Sequence, residues 1–111
     1  MAEALTSKHC VPCEGGIPAL TGEEIEPLLA QLDGWTVVGG KRLAKTYTFP
    51  DFVQALAFVN RAGAVAEEEG HHPDLYLTWG KVGVELLTHA IGGLSENDFI
   101  LAAKLDAVLA A

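Results

Sequence analysis

The order of the hydrophobic patterns along the chain constrains its fold more than any other feature. Stretches with helical periodicity alternate with short segments that turn back at glycines, in the order helix, hairpin, long helix, hairpin, helix. Two hairpins predict a four-stranded antiparallel sheet, and the three helices are expected to pack on one of its faces. The sequence therefore predicts an α+β fold, and 111 residues suffice for one hydrophobic core.

Each hairpin is predicted from two short strands around a glycine-containing pair. Residues 35–38 and 43–49 flank Gly39-Gly40 in the first hairpin, and residues 75–79 and 82–88 flank Gly80-Lys81 in the second. The second pair fits a type II′ turn, which requires glycine at its first central position. In that register His72 falls opposite His89, so we expect the histidines to line a groove on the open face of the sheet.

The first helix has a predicted start and stop. Thr21 and Glu24 have the spacing of a capping box. Pro27 lacks a backbone N–H, so the helix is expected to begin only near Glu26 or to be distorted there. Gly34 is expected to end this segment.

The long helix is predicted to open at Pro50-Asp51 and to stop at Gly70. Ser95 is expected to cap the final helix, whose apolar residues run from position 99 to 109. The predicted buried stripe of the long helix is Phe52, Ala55, Leu56, Val59, Ala62 and Ala66.

Charge and hydropathy exclude several classes of function. Fifteen acidic residues against seven basic ones give a net charge of −8, which argues against nucleic acid and anionic membranes as partners. No apolar run reaches the roughly 18 residues that a membrane span requires. The N-terminus has neither a basic nor an apolar region of a secretory signal, so a cytoplasmic location is expected.

Residues 1–20 are predicted to form an N-terminal arm outside a domain of residues 21–111. The arm carries Cys10 and Cys13 in a Cys-x-x-Cys pair. A structural zinc site would need two more ligands, and no second Cys-x-x-Cys supplies them. We therefore expect a surface arm with free thiols or a local disulfide.

Three of the four histidines lie close together in the sequence, at His71, His72 and His89, and acidic residues flank them at Glu67 and Asp98. Imidazole changes its protonation near neutral pH and also binds metals. This set therefore indicates proton transfer or metal ligation. Each residue also has a structural interpretation on its own, because adjacent histidines commonly mark a solvated helix exit.

Asp98 and Trp35 have equally simple structural interpretations. Asp98 follows Ser95 by three residues, which is the offset of a helix capping box. Trp35 stands at the start of the first predicted strand, where an aromatic side chain commonly belongs to the core or its rim.

Taken together, the spacing resembles the pterin-4a-carbinolamine dehydratase family. The family pattern is an acidic or polar residue, three further residues, His-His-Pro, an aromatic residue, a histidine and an aspartate. The resemblance extends from about residue 21 to residue 107. The matching residues in this chain are Glu67, His71, His72, Pro73, Tyr76, His89 and Asp98.

The resemblance implies dehydration of a 4a-hydroxytetrahydropterin to quinonoid dihydropterin by histidine acid–base catalysis, as part of tetrahydrobiopterin recycling. It implies that His71 and His89 give or take protons on the two sides of the pterin ring. His72 would bind and orient the pterin and share in the proton transfer. The same resemblance implies a functional link to an aromatic amino-acid hydroxylase, which produces the carbinolamine.

The resemblance also implies that Trp35, Glu67 and Asp98 contribute to substrate binding, with Asp98 orienting His89 or its water. No cofactor and no metal are expected. Family members are dimers or tetramers, and exposed sheet edges favour pairing, so a homodimer or homotetramer is expected.

Two other functions compete with the enzyme. One is a metal site built from the histidines, which is disfavoured because consecutive residues in an extended chain point to opposite sides. The other is a binding or dimerisation module, because a mammalian member of the family is a dimerisation cofactor for a transcription factor. Metal content and activity on a generated carbinolamine would distinguish these functions.

Overall fold

The structure is a computed structural model that describes residues 5–10 and 18–110. It confirms the predicted α+β class, with three α-helices and a four-stranded antiparallel sheet in the described part of the chain. In chain order the elements are α1 Gly22–Leu29, β1 Thr36–Val38, β2 Arg42–Thr48, α2 Phe52–Glu69, β3 Asp74–Leu77, β4 Lys81–Leu86 and α3 Glu96–Ala110. Short 3-10 helices lie at Leu5–Ser7 and His89–Ile91.

The two hairpins lie side by side in the order β1-β2-β4-β3, with every neighbouring pair antiparallel. One face of the sheet carries the apolar side chains, because Tyr47 pairs with Val82 and Leu43 pairs with Leu86. These four residues are buried with Phe58 of α2 and with the apolar side of α3. The helices therefore cover one face, as the sequence predicts.

The predicted register of the second hairpin is wrong. Leu75 pairs with Val84 and Leu77 with Val82, so the strands are shifted by two residues and β4 ends before His89. Gly80 does not have a positive φ, which excludes a type II′ turn there. In the observed register His72 does not fall opposite His89. The first hairpin turns at Gly39-Gly40, as predicted.

Helix α1 begins earlier than predicted. The capping box of Thr21 and Glu24 is present, and the helix starts at Gly22 with Pro27 inside it. It ends at Leu29, before Gly34, which lies in the bend that leads to β1. The expected delay to Glu26 is wrong because the reciprocal cap satisfies the first N–H groups despite the proline.

The buried side of α2 differs from the predicted stripe in its first two turns. Phe52 and Leu56 are substantially exposed, whereas Phe58 is completely buried. The Phe58 ring lies 4.6 Å from the ring of Tyr47 and 5.4 Å from that of Phe49. Asp51 caps the helix by accepting a hydrogen bond from Gln54 N–H, and Gly70 closes it, as predicted.

The described part of the N-terminal arm, residues 5–10, lies against the rest of the protein. Leu5 is buried in the core, and Cys10 packs against the core as a half-buried free thiol. This packing differs from the expected surface arm. Cys13 lies outside the described residues. No helix in residues 5–10 or 18–110 is long and apolar enough to cross a membrane.

Candidate active site

The end of helix α2 fixes the backbone of His71. Gly70 takes a left-handed conformation with φ 66° and ψ 24°, which glycine adopts without a steric penalty. The N–H of His71 then donates to the carbonyl of Ala66 at 3.2 Å, which closes the helix with a Schellman-type bond. Pro73 follows and prevents any return to helix. The glycine exit therefore directs the His71 ring toward the start of α3.

His71 meets the buried carboxylate of Asp98 at the junction of α2 and α3. The distance from His71 Nε2 to Asp98 Oδ1 is 2.6 Å. The Asp98 side chain has no solvent exposure, and that of His71 is 12% exposed. Asp98 was expected to orient His89 or its water, and the histidine that it contacts in the structure is His71. The pair lies at the end of the helical layer and not on the open face of the sheet.

The second carboxylate oxygen of Asp98 accepts two further hydrogen bonds, which fix the orientation of the side chain. Asp98 Oδ2 accepts hydrogen bonds from the Ser95 N–H at 2.9 Å and from Thr88 Oγ1 at 2.8 Å. The single hydroxyl hydrogen of Thr88 is used in this bond, so Ser95 Oγ donates to Thr88 Oγ1, 2.7 Å away. Asp98 thus accepts the predicted capping-box bond from the Ser95 N–H with one oxygen and holds His71 with the other.

This network assigns the hydrogen on the His71 ring. A carboxylate accepts hydrogen bonds, so Nε2 of His71 carries a hydrogen, and the neutral form of the ring has its lone pair on Nδ1. A fixed tautomer with one available lone pair is what a general base requires. Sequence reasoning missed Thr88 in this role, although its place beside His89 in an alternating segment was a usable signal.

His72 and Glu67 form a second, much more exposed pair. His72 Nε2 lies 2.5 Å from Glu67 Oε2, with the side chains 61% and 79% exposed. A side-chain pair so open to water contributes little to stability. The sequence grouped both residues with His71, and the structure places them on the neighbouring surface of the α2 exit.

His89 is exposed and begins the 3-10 helix His89–Ile91. Thr88 N–H donates to the carbonyl of Gly93, so residues 88–93 form a closed loop. Within this loop the Thr88 side chain is buried against Asp98, while His89 lies on the surface. His89 therefore lies in the same loop as Thr88, which donates to Asp98. His89 itself does not pair with the Asp98 carboxylate.

Trp35 belongs to a different cluster, built around Asp106 of α3. Its Nε1 donates to Asp106 Oδ2 at 3.0 Å, and Lys45 Nζ donates to Asp106 Oδ1 at 2.8 Å. Tyr47 also donates its hydroxyl hydrogen to Asp106, and burial together with this bond raises the pKa of Tyr47. Asp106 stands two helical turns after Asp98, so Trp35 is separated from the His71–Asp98 pair.

A buried ion pair supports the α2 exit from the side of the N-terminal arm. Glu69, only 3% exposed, accepts a hydrogen bond from Lys104 Nζ at 2.8 Å and from the Cys10 N–H at 2.8 Å. Burial alone would raise the pKa of Glu69, but the bonds from Lys104, Cys10 and His9 lower it to about 2. Sequence reasoning did not single out Glu69, which is one of three consecutive glutamates.

The residues that could bind metals do not converge. His71 and His72 use their Nε2 atoms on different carboxylates. Across residues 5–10 and 18–110, no group of three or more His, Cys, Asp or Glu side chains is arranged to hold a metal ion.

An open cavity of about 590 Å³ lies at the other end of helix α2. Its lining residues are Thr48, Phe49, Thr78, Trp79, Gly80 and Lys81. Phe49 precedes α2 and His71 follows it, and an 18-residue helix is about 27 Å long. The cavity therefore contains none of the candidate site residues that the sequence predicted.

The fold and this site define a small α+β protein with an imidazole oriented by a buried carboxylate, an arrangement suited to acid–base chemistry. Residues 18–108 match the sequence profile of the family described as Pterin 4 alpha carbinolamine dehydratase. The chain belongs to this family.

Relatives of known name agree. A protein from Rubrobacter xylanophilus, provisionally named a pterin-4-alpha-carbinolamine dehydratase, is 51% identical over 92% of this chain and 95% of its own length. A protein of the same provisional name from Rickettsia canadensis is 53% identical over 92% of this chain and 94% of its own length.

Solved structures show the same fold. A transcriptional coactivator/pterin dehydratase from Brucella melitensis has a TM-score of 0.77 and 35% identity, covering 81% of this chain and 97% of that one. A pterin dehydratase-like protein identified as a RuBisCO assembly factor in the alpha-carboxysome has a TM-score of 0.59 and 26% identity. That match covers 68% of this chain and 89% of the other.

Proposed function

We propose that this protein is a hydro-lyase that dehydrates 4a-hydroxytetrahydropterin to quinonoid dihydropterin. The observation that carries the proposal is the buried Asp98 carboxylate, with one oxygen on His71 and the other on Thr88 and Ser95. A buried charged group is costly unless several hydrogen bonds satisfy it. The capping interaction alone needs only one of its oxygens, so the other is available to orient His71.

The reaction needs one proton removed and one proton supplied. A base takes the hydrogen from the ring nitrogen N5, and the N5 electron pair forms a double bond to C4a. The C4a–O bond breaks, and an acid protonates the departing hydroxyl so that it leaves as water. Each positioned proton transfer of this kind contributes typically about 10²–10⁴-fold to the rate.

In this proposal His71 and His89 carry out these two proton transfers, one on each side of the pterin ring. His71 supplies the lone pair of Nδ1, because its Nε2 is held by Asp98. His89, exposed on the loop next to Thr88, acts from the other side. His72 orients the pterin and shares in the proton transfer, with Glu67 as its hydrogen-bond partner.

The proposal also gives Trp35 an indirect role in substrate binding. The Trp35 side chain is buried against Asp106 and Tyr47. It would therefore support substrate binding through the packing of the protein and not through contact with His71. Glu67 and Asp98, by contrast, lie beside the histidines they would support.

The proposed setting is recycling of tetrahydrobiopterin in the cytoplasm, with the carbinolamine supplied by an aromatic amino-acid hydroxylase. A homodimer or homotetramer is proposed, because β1 and β3 are the edge strands of the sheet and Tyr76 on β3 is exposed. The net charge of −8 disfavours nucleic acid as a partner.

The test is turnover of a generated 4a-carbinolamine by His71→Ala and His89→Ala. Each variant is expected to lose at least tenfold in kcat over the uncatalysed background, because a positioned proton transfer is removed. Glu68→Gln, an exposed change on the turn that precedes His71, is the matched control and should retain full kcat. Near-normal turnover in both histidine variants would overturn the enzymatic proposal and favour a binding module.

A metal-dependent reaction is distinguished by chelation. The proposed proton transfers use only imidazole groups, so exhaustive treatment with EDTA should leave kcat unchanged. Loss of turnover that added zinc restores would show that the histidines are ligands.

A further inference from the structure

Residues 5–10, here called the N-terminal strap, contact both elements that carry the His71–Asp98 pair. The Cys10 N–H donates to Glu69 Oε1 at 2.8 Å, two residues before His71. The Cys10 thiol donates to the carbonyl of Asn97 at 3.6 Å, one residue before Asp98. A single residue of the strap therefore bridges the end of α2 and the start of α3.

The attachment on the α2 side is a buried and fully engaged carboxylate. Glu69 Oε1 accepts from Cys10, while Oε2 accepts from Lys104 of α3 and lies 3.2 Å from His9 Nδ1. These bonds hold the pKa of Glu69 at about 2, so it is charged at neutral pH. Burial, with the nearby Glu69 charge, raises the pKa of the Cys10 thiol to about 12, so the thiol keeps its hydrogen as a donor.

The strap is also fixed at its other end. Leu5 is buried in the core, and the 3-10 helix Leu5–Ser7 packs on α3. Lys8 Nζ pairs with Glu96 Oε2 at 3.1 Å in the first turn of α3. Because both ends are attached, a change at Cys10 is transmitted to the α2–α3 junction and is not absorbed by a loose chain end.

We propose that Cys10 and Glu69 are positioning residues for the reaction assigned to His71. They hold the end of α2 against the start of α3, so that His71 Nε2 stays within hydrogen-bond distance of Asp98. Neither residue needs to touch the substrate. The inference rests on the proposed function, in which a shift of about 1 Å at a reacting group can cost about 100-fold in rate.

Cys10→Ala and Glu69→Gln test the proposal, with Glu68→Gln as the control of equal charge change on the same helix. At a temperature where each variant is fully folded, kcat is expected to fall about three- to tenfold while KM changes less than twofold. Cys10→Ser, which keeps a hydrogen-bond donor, should recover most of the activity lost in Cys10→Ala. Glu68→Gln should be indistinguishable from the parent protein.

NMR of the His71 ring nitrogens supplies a readout that does not depend on turnover. The Nε2 resonance should move in Cys10→Ala and Glu69→Gln if the His71–Asp98 bond loosens. An unchanged His71 resonance with unchanged kcat, whatever happens to the melting temperature, would overturn the proposal. If the parent protein has no dehydratase activity, the proposed function fails, and the resonance still decides whether the strap positions His71.

One variant carries a risk of misfolding, because Glu69→Gln leaves Lys104 without its charged partner. The double variant Glu69→Gln with Lys104→Met removes both charges together. It should fold and show the same loss of kcat and the same change at His71. A folded double variant with the parent kcat and the parent His71 resonance would contradict the positioning role.

Discussion

At the scale of single residues, Asp98 shows how one side chain serves both a helix and a site. Its Oδ2 caps α3 through the Ser95 N–H, and its Oδ1 reaches His71 from a different element. The spacing from Ser95 predicts the cap, because capping is local. The partner of Oδ1 depends on how the α2 exit approaches α3 in three dimensions, and the family resemblance implied His89 or its water in place of His71.

Asp98→Asn tests the second role while preserving the size of the side chain. An amide still accepts from Ser95 N–H, but it lacks the charge that holds the Nε2 hydrogen of His71. We expect kcat to fall at least tenfold and the free energy of unfolding to fall by about 1–3 kcal/mol. Thr88→Val, which removes one donor to Oδ2, should have a smaller effect on both.

The measurements for these variants are steady-state turnover and urea unfolding. If Asp98→Asn loses stability but keeps its kcat, Asp98 is only a helix cap. The ranking of the two variants is a further check, because a role confined to capping predicts no consistent order in kcat.

At the scale of secondary-structure elements, the features that the sequence predicted correctly are the local ones. The capping box at Thr21, the cap at Asp51 and the glycine stop at Gly70 each depend on residues within one turn of the helix end. The register of the second hairpin was missed because its turn also contacts a part of the chain that is distant in sequence. The carbonyl of Gly80 accepts from the Phe49 N–H, which belongs to the end of the neighbouring strand.

The buried stripe of α2 was missed for a related reason. Periodicity predicts that one side of a helix is buried but does not fix which of two adjacent apolar stripes faces the sheet. The buried residues of α2 are Ala55, Phe58, Ala62 and Ala66. The buried side is therefore rotated about the helix axis away from Phe52 and Leu56, and Phe58 packs on Tyr47 and Phe49. Tertiary placement decides which apolar residues are covered.

Gly63 inside α2 and Gly70 just after it give predictions of opposite sign. Gly70→Ala forces a side chain into a φ of +66°, which costs about 1–2 kcal/mol and should also reduce kcat, because it moves the backbone before His71. Gly63 lies inside the helix without a positive φ, and nothing lies within 4 Å of an added Cβ. Gly63→Ala should therefore stabilise the protein by about 0.5–1 kcal/mol with unchanged kcat.

Thermal and urea unfolding of the two variants measure this contrast, and turnover shows whether the helix exit matters for the site. A Gly70→Ala protein as stable and as active as the parent would show that the left-handed exit is not required to place His71.

At the scale of the whole molecule, 15 acidic residues and a net charge of −8 give two opposing effects at low pH. Protonation of surface carboxylates relieves repulsion between like charges, which favours the folded state. Protonation of Glu69 removes the charge that holds Lys104 and the strap, which favours unfolding. The buried group is expected to dominate, because its interactions are much less screened by water than those at the surface.

The pH dependence of stability follows from the direction of the Glu69 shift. The pKa is lowered from 4.5 to about 2 in the folded protein, so the stabilisation is fully present above about pH 4.5 and is lost as the pH falls toward 2. At about 1.4 kcal/mol per pKa unit, this shift corresponds to a loss on the order of 3 kcal/mol. Such a loss is a large part of the roughly 5–15 kcal/mol that stabilises a typical domain.

Urea unfolding at pH 7, 4 and 2.5 tests this dependence in the parent protein, in Glu69→Gln and in the exposed control Glu68→Gln. Glu69→Gln should be clearly less stable than the parent protein at pH 7. The difference should shrink as the pH falls below about 4.5, because Glu69 then becomes protonated in the unfolded chain and the advantage of its low folded-state pKa is lost. Glu68→Gln should stay within about 0.5 kcal/mol of the parent at pH 7. A gap between Glu69→Gln and the parent that is equally large at pH 7 and pH 2.5 would mean that the charge of Glu69 does not stabilise the fold. The buried bonds to Lys104 and Cys10 would then stabilise the junction through packing alone.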